Sequence, residues 1–223
     1  HYMIDICDIS ESFSVAKFKE QAEVIIKDII SRGKTPIICG GTGQYIDALI
    51  FDAELPHVEP NEPLRANLET KSTEELYTEL LKKDTRRAES IDKHNRVRLI
   101  RALEIIDSVG KVPIQKEESL RENVTMYLIT PSKEILKERI EKRLLKRLEV
   151  GMIGEMESLI AQGYEIEVLA QKGIEYKYMA KYLKKEITYD ELIEQLKFKI
   201  WQYAKRQRTW NKKYAFAELA PVK

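Results

Sequence analysis

From position 15 the chain reads with a helical period: Phe18, Ala22, Ile25, Ile26, Ile29 and Ile30 share one face, and the run stops at Gly33. This predicts an amphipathic helix over 15–32 with a glycine at its C-cap. Pro36, Ile37, Ile38 and Cys39 form a short apolar run that ends in Gly40, Gly41, Thr42 and Gly43, and Tyr45, Ile46, Leu49 and Ile50 restart the helical period. Helix, buried strand, glycine turn and helix in that order predict an α/β fold with a parallel sheet.

After Pro56 the pattern changes. Pro56, Pro60 and Pro63 punctuate the chain, and three helical segments follow with no strand between them. The second opens at Ser72 with Glu75 three residues on, a capping-box pattern, and the third runs from Asn95 to Val109 and meets Gly110. Such a stretch reads as a helical domain inserted into the sheet. Residues 124–129 alternate and end at Thr130 and Pro131, which predicts a return strand; helices are expected over 132–149, 152–162, 175–183 and 189–212. The predicted organisation is a core part at 1–56, an inserted helical domain at 57–120, and a return strand with C-terminal helices at 121–223.

Charge sharpens one region. The net charge is only +1 although 34% of residues are charged, and the acids lie apart from the C-terminal bases. Between Lys197 and Lys213 stand Lys199, Lys205, Arg206, Arg208 and Lys212 with no acid among them, interleaved with Phe198, Trp201, Tyr203 and Trp210. A basic helix with aromatics can neutralise phosphates and stack on bases, and it can equally turn its rings into a core behind a solvated face. No apolar run approaches the roughly 18–20 residues that span a bilayer, and residues 1–9 lack a signal-peptide pattern, so a cytoplasmic protein with no membrane partner is expected. Cys7 and Cys39 each sit in an apolar stretch and read as small buried hydrophobes rather than as a disulfide or a zinc site.

A glycine turn between a strand and a helix turns backbone N–H groups toward an anion, and Thr42 adds a hydroxyl there. On its own this is a weak signal. Its context is more specific: His1-Tyr2-Met3-Ile4-Asp5 precedes a helix, and Gly33-Lys34-Thr35-Pro36 leads into Gly40-Gly41-Thr42-Gly43-Gln44-Tyr45. Further along come Asn95-Arg96-Val97-Arg98-Leu99-Ile100-Arg101-Ala102-Leu103-Glu104, then Arg139-Ile140 with Arg143, Gly151 and Glu155, and Tyr203-Ala204-Lys205-Arg206-Gln207-Arg208-Thr209-Trp210. This succession resembles the tRNA dimethylallyltransferase (tRNA isopentenyltransferase) family over essentially the whole chain.

The resemblance implies a P-loop-kinase-like parallel sheet core, here incomplete, with an inserted helical domain and a helical C-terminal part. It implies transfer of a dimethylallyl group from dimethylallyl diphosphate to the exocyclic amine of a tRNA adenosine next to the anticodon, with Mg²⁺ as cofactor, by a monomer. Thr42 matches the family's active-site threonine. Gly40, Gly41, Thr42, Lys205 and Arg206 are placed at the pyrophosphate of the prenyl donor. Gln44, Arg65, Arg98, Arg101, Tyr176, Lys177, Gln207, Thr209 and Trp210 match positions that contact tRNA. For Arg101 the plain alternative is an ion pair with Glu104 one turn away.

The chain also departs from the family's pattern. No Gly-x-x-x-x-Gly-Lys-Ser/Thr occurs, so the phosphate loop and the presumed aspartate base are expected to lie upstream, and this piece alone is expected to be inactive. Glu175-Tyr176-Lys177-Tyr178 stands where the family usually carries Gly-Tyr-Lys/Arg-Glu/Gln, and Lys199-Ile200-Trp201 precedes Gln202 where Thr-Arg is usual. Two other readings stay open: an adenylate isopentenyltransferase, and a non-catalytic RNA-binding remnant. The arginines of the insertion argue against a mononucleotide substrate.

Overall fold

The computed structural model describes residues 1–51, 56, 58–113 and 120–220. In chain order its elements are α1 (Val15–Ser31), α2 (Gly43–Ile50), α3 (Glu62–Glu69), α4 (Thr73–Lys83), α5 (Thr85–Ser90) and α6 (Arg96–Val109). They continue with β1 (Tyr127–Leu128), α7 (Lys133–Glu149), α8 (Met152–Ala161), α9 (Ile166–Leu169), α10 (Ile174–Leu183), α11 (Tyr189–Asn211) and β2 (Glu218–Leu219). The chain forms two compact units, residues 1–47 with 121–223 and residues 48–120. The expected boundary at His57 lies outside the described residues.

In the helical unit, residues 48–120, the apolar period closes α3, α4 and α6 around Leu68, Leu76, Leu80, Leu99 and Leu103, each no more than 1% exposed. Burying such a side chain contributes about 1.5–3 kcal/mol. The ends of the helices are as the sequence predicts. Ser72 Oγ accepts the Glu75 N–H at 3.2 Å while Glu75 returns a carboxylate oxygen to the Ser72 N–H at 2.7 Å. Asn95 caps α6, and Gly110 leaves it at φ 85°, a left-handed conformation that costs glycine little. Among the described residues four helices follow Pro56 where three are expected, because Asp84 ends α4 and its side chain caps a further short turn, α5.

One charge is folded into this unit. Glu104, on α6, is 1% exposed. Its Oε1 accepts the Asn61 N–H at 3.0 Å and Arg65 Nε at 2.7 Å, and its Oε2 accepts Arg65 Nη2 at 3.0 Å, with Arg101 Nη1 at 3.4 Å. Burial pushes the Glu104 carboxyl upward, but the Arg65 fork and the Asn61 N–H outweigh it and hold the pKa below the ordinary 4.5. Arg101 spans further, donating to the Val58 carbonyl at 2.8 Å.

In the other unit α7, α8, α10 and α11 surround Leu144, Met156, Met179, Leu192 and Leu196. A second capping box, Thr188 with Glu191, starts α11. The protein is mostly helical with a small parallel sheet: Tyr127 pairs with Glu218 and Leu128 with Leu219. Several expectations are corrected here. Residues 36–39 form no strand; Ile37 is 88% exposed, and both Cys7 and Cys39 are exposed rather than buried. A strand exists only through a partner's ladder, and among the described residues none runs beside 36–39. The return strand over 124–129 contracts to two residues for the same reason, since β2, which the sequence reading missed, is only that long. The single turn of α9 was likewise too short to carry a legible period.

The buried carboxylate generates a prediction. Glu104→Ala strands two guanidinium groups that remain about a third exposed, so the loss is about 2–4 kcal/mol, below that of a fully buried pair. Because the folded pKa is lowered, this stabilisation is complete above the ordinary value of 4.5 and is lost as pH falls through the folded value. Urea melts of wild type and variant should therefore differ at neutral pH and converge in acid. Equal midpoints at neutral pH would show that Glu104 does not hold the unit together.

Candidate functional site

The glycine turn acquires its shape from both sides. Thr42 stands immediately before α2, its carbonyl accepting the N–H groups of Tyr45 at 3.0 Å and Ile46 at 3.2 Å. As at any helix start, the first N–H groups of α2 have no partner within the helix, and the positive end of the helix dipole lies there. The Thr42 and Gln44 side chains are exposed. Behind the turn, Tyr45 stacks on Phe18 of α1 with ring centroids 4.6 Å apart and donates its hydroxyl to the Phe13 carbonyl.

The opposite side is held by α11. Gln207 Nε2 donates to the Gly41 carbonyl at 2.9 Å. The Trp210 indole lies so close to Gly43 that a Cβ there would fall 2.3 Å from Cδ1 and Nε1. That ring cannot drift away: its Nε1 donates to Asp47 Oδ2 at 3.1 Å and approaches the Tyr214 hydroxyl at 3.2 Å. The same Asp47 carboxylate, 7% exposed, accepts the Tyr214 hydroxyl and pairs with the Lys213 ammonium. Asp47 is four residues beyond Gly43, so the two lie on one face of α2 and receive the same indole.

Of the residues singled out in the sequence, the fold brings Gly41, Gln207 and Trp210 together with Gly43 and keeps Gly40, Thr42 and Gln44 beside them. Arg206 stands one turn before Trp210 on α11, toward this face, whereas Lys205, two residues before Gln207, falls on the other side of the helix. Both are exposed and meet no carboxylate among the described residues, and Arg206 lies over the Tyr203 ring at 5.4 Å. Thr209 turns its hydroxyl back to the Lys205 carbonyl at 3.0 Å. Arg208 donates to the Pro131 carbonyl at 2.6 Å, tying α11 to the segment after β1.

The basic aromatic stretch divides between the two roles that its sequence allowed. Lys197 pairs with Glu141 at 2.7 Å and Glu194 at 3.2 Å, and Trp201 packs against the core with Lys137 over its ring. Phe198, Tyr203 and Trp210 remain exposed. On α10, Tyr176 donates to Glu155; burial, followed by that carboxylate, pushes its hydroxyl up to about 12. Lys177 beside it is exposed. The two unusual neighbours have structural reasons: Glu175 pairs with Arg147 at 2.9 Å, and Tyr178 is buried in the core. Arg65, Arg98 and Arg101 all belong to the helical unit. Arg65 and Arg101 are engaged by Glu104, whereas Arg98 is exposed and its side chain meets no partner among the described residues.

Sequence reasoning missed Asp47 and Tyr214, and saw Glu104 only as a partner for Arg101, not as the acceptor for Arg65 and Asn61. Asp47 left a signal, since a lone acid one turn into an otherwise apolar helix requires donors from elsewhere. Among the described residues no helix is long and apolar enough to cross a membrane, and no group of three or more His, Cys, Asp or Glu could hold a metal ion.

The geometry can be set beside known proteins. The family model described as IPP transferase matches residues 1–214. A tRNA dimethylallyltransferase of Acetivibrio thermocellus is 40% identical over 222 residues, 96% of this chain and 71% of that protein. The crystal structure of the full-length tRNA isopentenylpyrophosphate transferase of Bacillus halodurans superposes with a TM-score of 0.68 at 35% identity, over 99% of this chain and 71% of that one. A eukaryotic dimethylallyltransferase, captured in crystallographic snapshots acting on tRNA, gives a TM-score of 0.74 at 26% identity, over 92% of this chain and 54% of that one. On this agreement of sequence and fold, the chain belongs to the IPP transferase family.

Proposed function

We propose that the chain transfers a dimethylallyl group from dimethylallyl diphosphate to the exocyclic amine of an adenosine next to the anticodon of tRNA. The observation that carries this reading is the glycine turn at the start of α2, fixed by Gln207 and Trp210 of α11, with the exposed Arg206 one turn before Trp210 on that helix. The amine nitrogen attacks the allylic carbon, the carbon–oxygen bond to the diphosphate breaks, and a proton leaves the nitrogen. Negative charge grows on the departing diphosphate. N–H groups at Gly40, Gly41 and the helix start and the Thr42 hydroxyl suit that charge, and the family resemblance assigns Lys205 and Arg206 to it as well. In this reading the core is P-loop-kinase-like. Magnesium would serve such a diphosphate, yet the described residues offer it no cluster of ligands, so no step is assigned to it.

Recognition of tRNA falls to Gln44, Arg65, Arg98, Arg101, Tyr176, Lys177, Gln207, Thr209 and Trp210. The hydrogen bonds already made narrow their roles. Trp210 has its N–H engaged by Asp47, so it offers a ring face for stacking, and Arg65 offers RNA only what Glu104 leaves free. Reaching the amine requires an unstacked base, which is cheapest in a single-stranded loop.

The deciding experiment offers the full-length protein dimethylallyl diphosphate with an unmodified tRNA transcript and AMP side by side. Prenylated adenosine in the tRNA alone is expected. Product on AMP instead would move the chain to the adenylate class, and RNA binding without any product would favour a binding module.

Two variants separate the parts of the site. Thr42→Ala should lower kcat by roughly one to three orders of magnitude through loss of a preorganised hydrogen bond, with tRNA affinity little changed, as single-turnover rates and titrations would measure. Gly43→Ala drives a methyl into a ring that Asp47 holds, so it should cost about 1–3 kcal/mol of stability and also reduce kcat. Combining it with Trp210→Ala, which vacates that space, should give less than the sum of the two losses; strict additivity would mean that the glycine is not there for the indole.

A further inference from the structure

Away from the glycine turn, the helical unit holds a concentration of positive charge that its described residues do not neutralise. Arg86 and Arg87 lie on α5 and Arg98 in the first turn of α6. Asp84 is the acid beside them, 6% exposed, and its oxygens are already engaged: Oδ1 accepts the Arg87 backbone N–H at 3.0 Å, and Oδ2 accepts the Val112 N–H at 3.1 Å with Arg86 Nη2 at 3.5 Å. Arg86 is anchored by the Val112 carbonyl as well. Neither Arg87 nor Arg98 has a side-chain hydrogen bond or a carboxylate partner among the described residues, and Arg87 Nε is shut from water without an acceptor. Burial first, then the repulsion of Arg86 and Arg98, lowers the Arg87 pKa, and Asp84 offsets this only in part.

A half-buried guanidinium left without an acceptor, with like charges near enough to repel it, is unfavourable for a free-standing fold, and an apolar side chain of similar length would serve the packing better. The missing ingredient is an anion. A phosphate matches the planar donor fork of arginine, and two forks side by side can share one group. We infer that Arg87 and Arg98, with Arg86 behind them, form a site for a phosphodiester group of the bound tRNA, a contact to the backbone that is indifferent to base identity. This rests on the proposed action on tRNA and adds Arg86 and Arg87 to the residues implied by the family resemblance, which included Arg98.

The test uses the full-length protein, an unmodified tRNA transcript and titrations over a range of salt. Arg87→Gln keeps the length of the side chain and removes its charge. Affinity should fall about ten-fold at low salt, and the log–log salt slope should become shallower by about one. The thermal midpoint without RNA should hold or rise, because a repulsion has gone, and affinity for dimethylallyl diphosphate should be retained. Arg98→Gln, on an exposed position, should show the same slope change, and the double variant should lose less than the sum because one phosphate is shared. If wild type binds tRNA but both variants keep its affinity and slope, the inference is overturned and the proposed function stands. A lower midpoint with an unchanged slope would overturn it in favour of a structural role. Should millimolar inorganic phosphate raise the wild-type midpoint and not that of Arg87→Gln, with tRNA affinity equal, the site takes a free anion instead. Wild type that does not bind tRNA at all overturns the function reading and this inference together.

Discussion

The unit that carries the glycine turn is organised by a single buried carboxylate. Asp47 gathers Trp210, Lys213 and Tyr214, donors from residues 163 or more positions away in sequence, onto one side of α2. Without that acceptor the buried Tyr214 hydroxyl would lose its carboxylate partner, at about 1–3 kcal/mol, and the indole N–H would lose the bond that orients it. Three donors converging from the end of α11 also fix direction. The indole plane is set by its bond to Asp47, and only then does the 2.3 Å clearance at Gly43 become a real constraint. The turn is shaped less by its own glycines than by the ring behind it.

Glu104 repeats the device in the helical unit. It is the buried acid of α6, whose other buried residues are apolar, and it draws Asn61 and Arg65 toward that helix while Arg101, three residues before it, turns onto the same carboxylate. Such sets stabilise weakly compared with apolar packing of the same volume. What they supply is register: a leucine accepts many neighbours, whereas a carboxylate with two oxygens accepts few geometries. The apolar interior around Leu76 and Leu103 provides the driving force, and Glu104 selects the arrangement in which two arginine forks stay near the surface.

What could be read from the sequence follows the range of the interactions involved. Helices α1, α4, α6, α7 and α11 were legible because period, cap and stop signal lie within one segment; Ser72 with Glu75 and Asn95 with Gly110 are examples. The strand expected at 36–39 was not, because an apolar run of that length says nothing about whether a ladder partner lies beside it. The site was legible in part for the same reason. Gly41, Thr42, Gln207 and Trp210 sit in motifs dense enough to be noticed, while Asp47 and Tyr214 act only through contacts that the chain makes after folding. Even Arg101 illustrates the limit, since its helix spacing to Glu104 was visible but the convergence of Arg65 on the same acid was not.

The division of charge bears on how such a protein could engage a polyanion with a net charge of only +1. Long-range attraction from the whole molecule is negligible at that value, so affinity must come from local groups within about a Debye length, roughly 8–10 Å, of each phosphate. Counting basic residues in a helix overstates this supply. Lys197 and Lys213 are neutralised by acids of their own unit, and Arg208 is turned toward a carbonyl. Among the described residues of that stretch Lys199, Lys205, Arg206 and Lys212 meet no carboxylate, and Lys177 on α10 and Arg87 and Arg98 in the helical unit add to them at separate positions. A surface of that kind discriminates by the positions of phosphates rather than by their number. It therefore suits a folded RNA of defined shape better than an unstructured strand of equal charge.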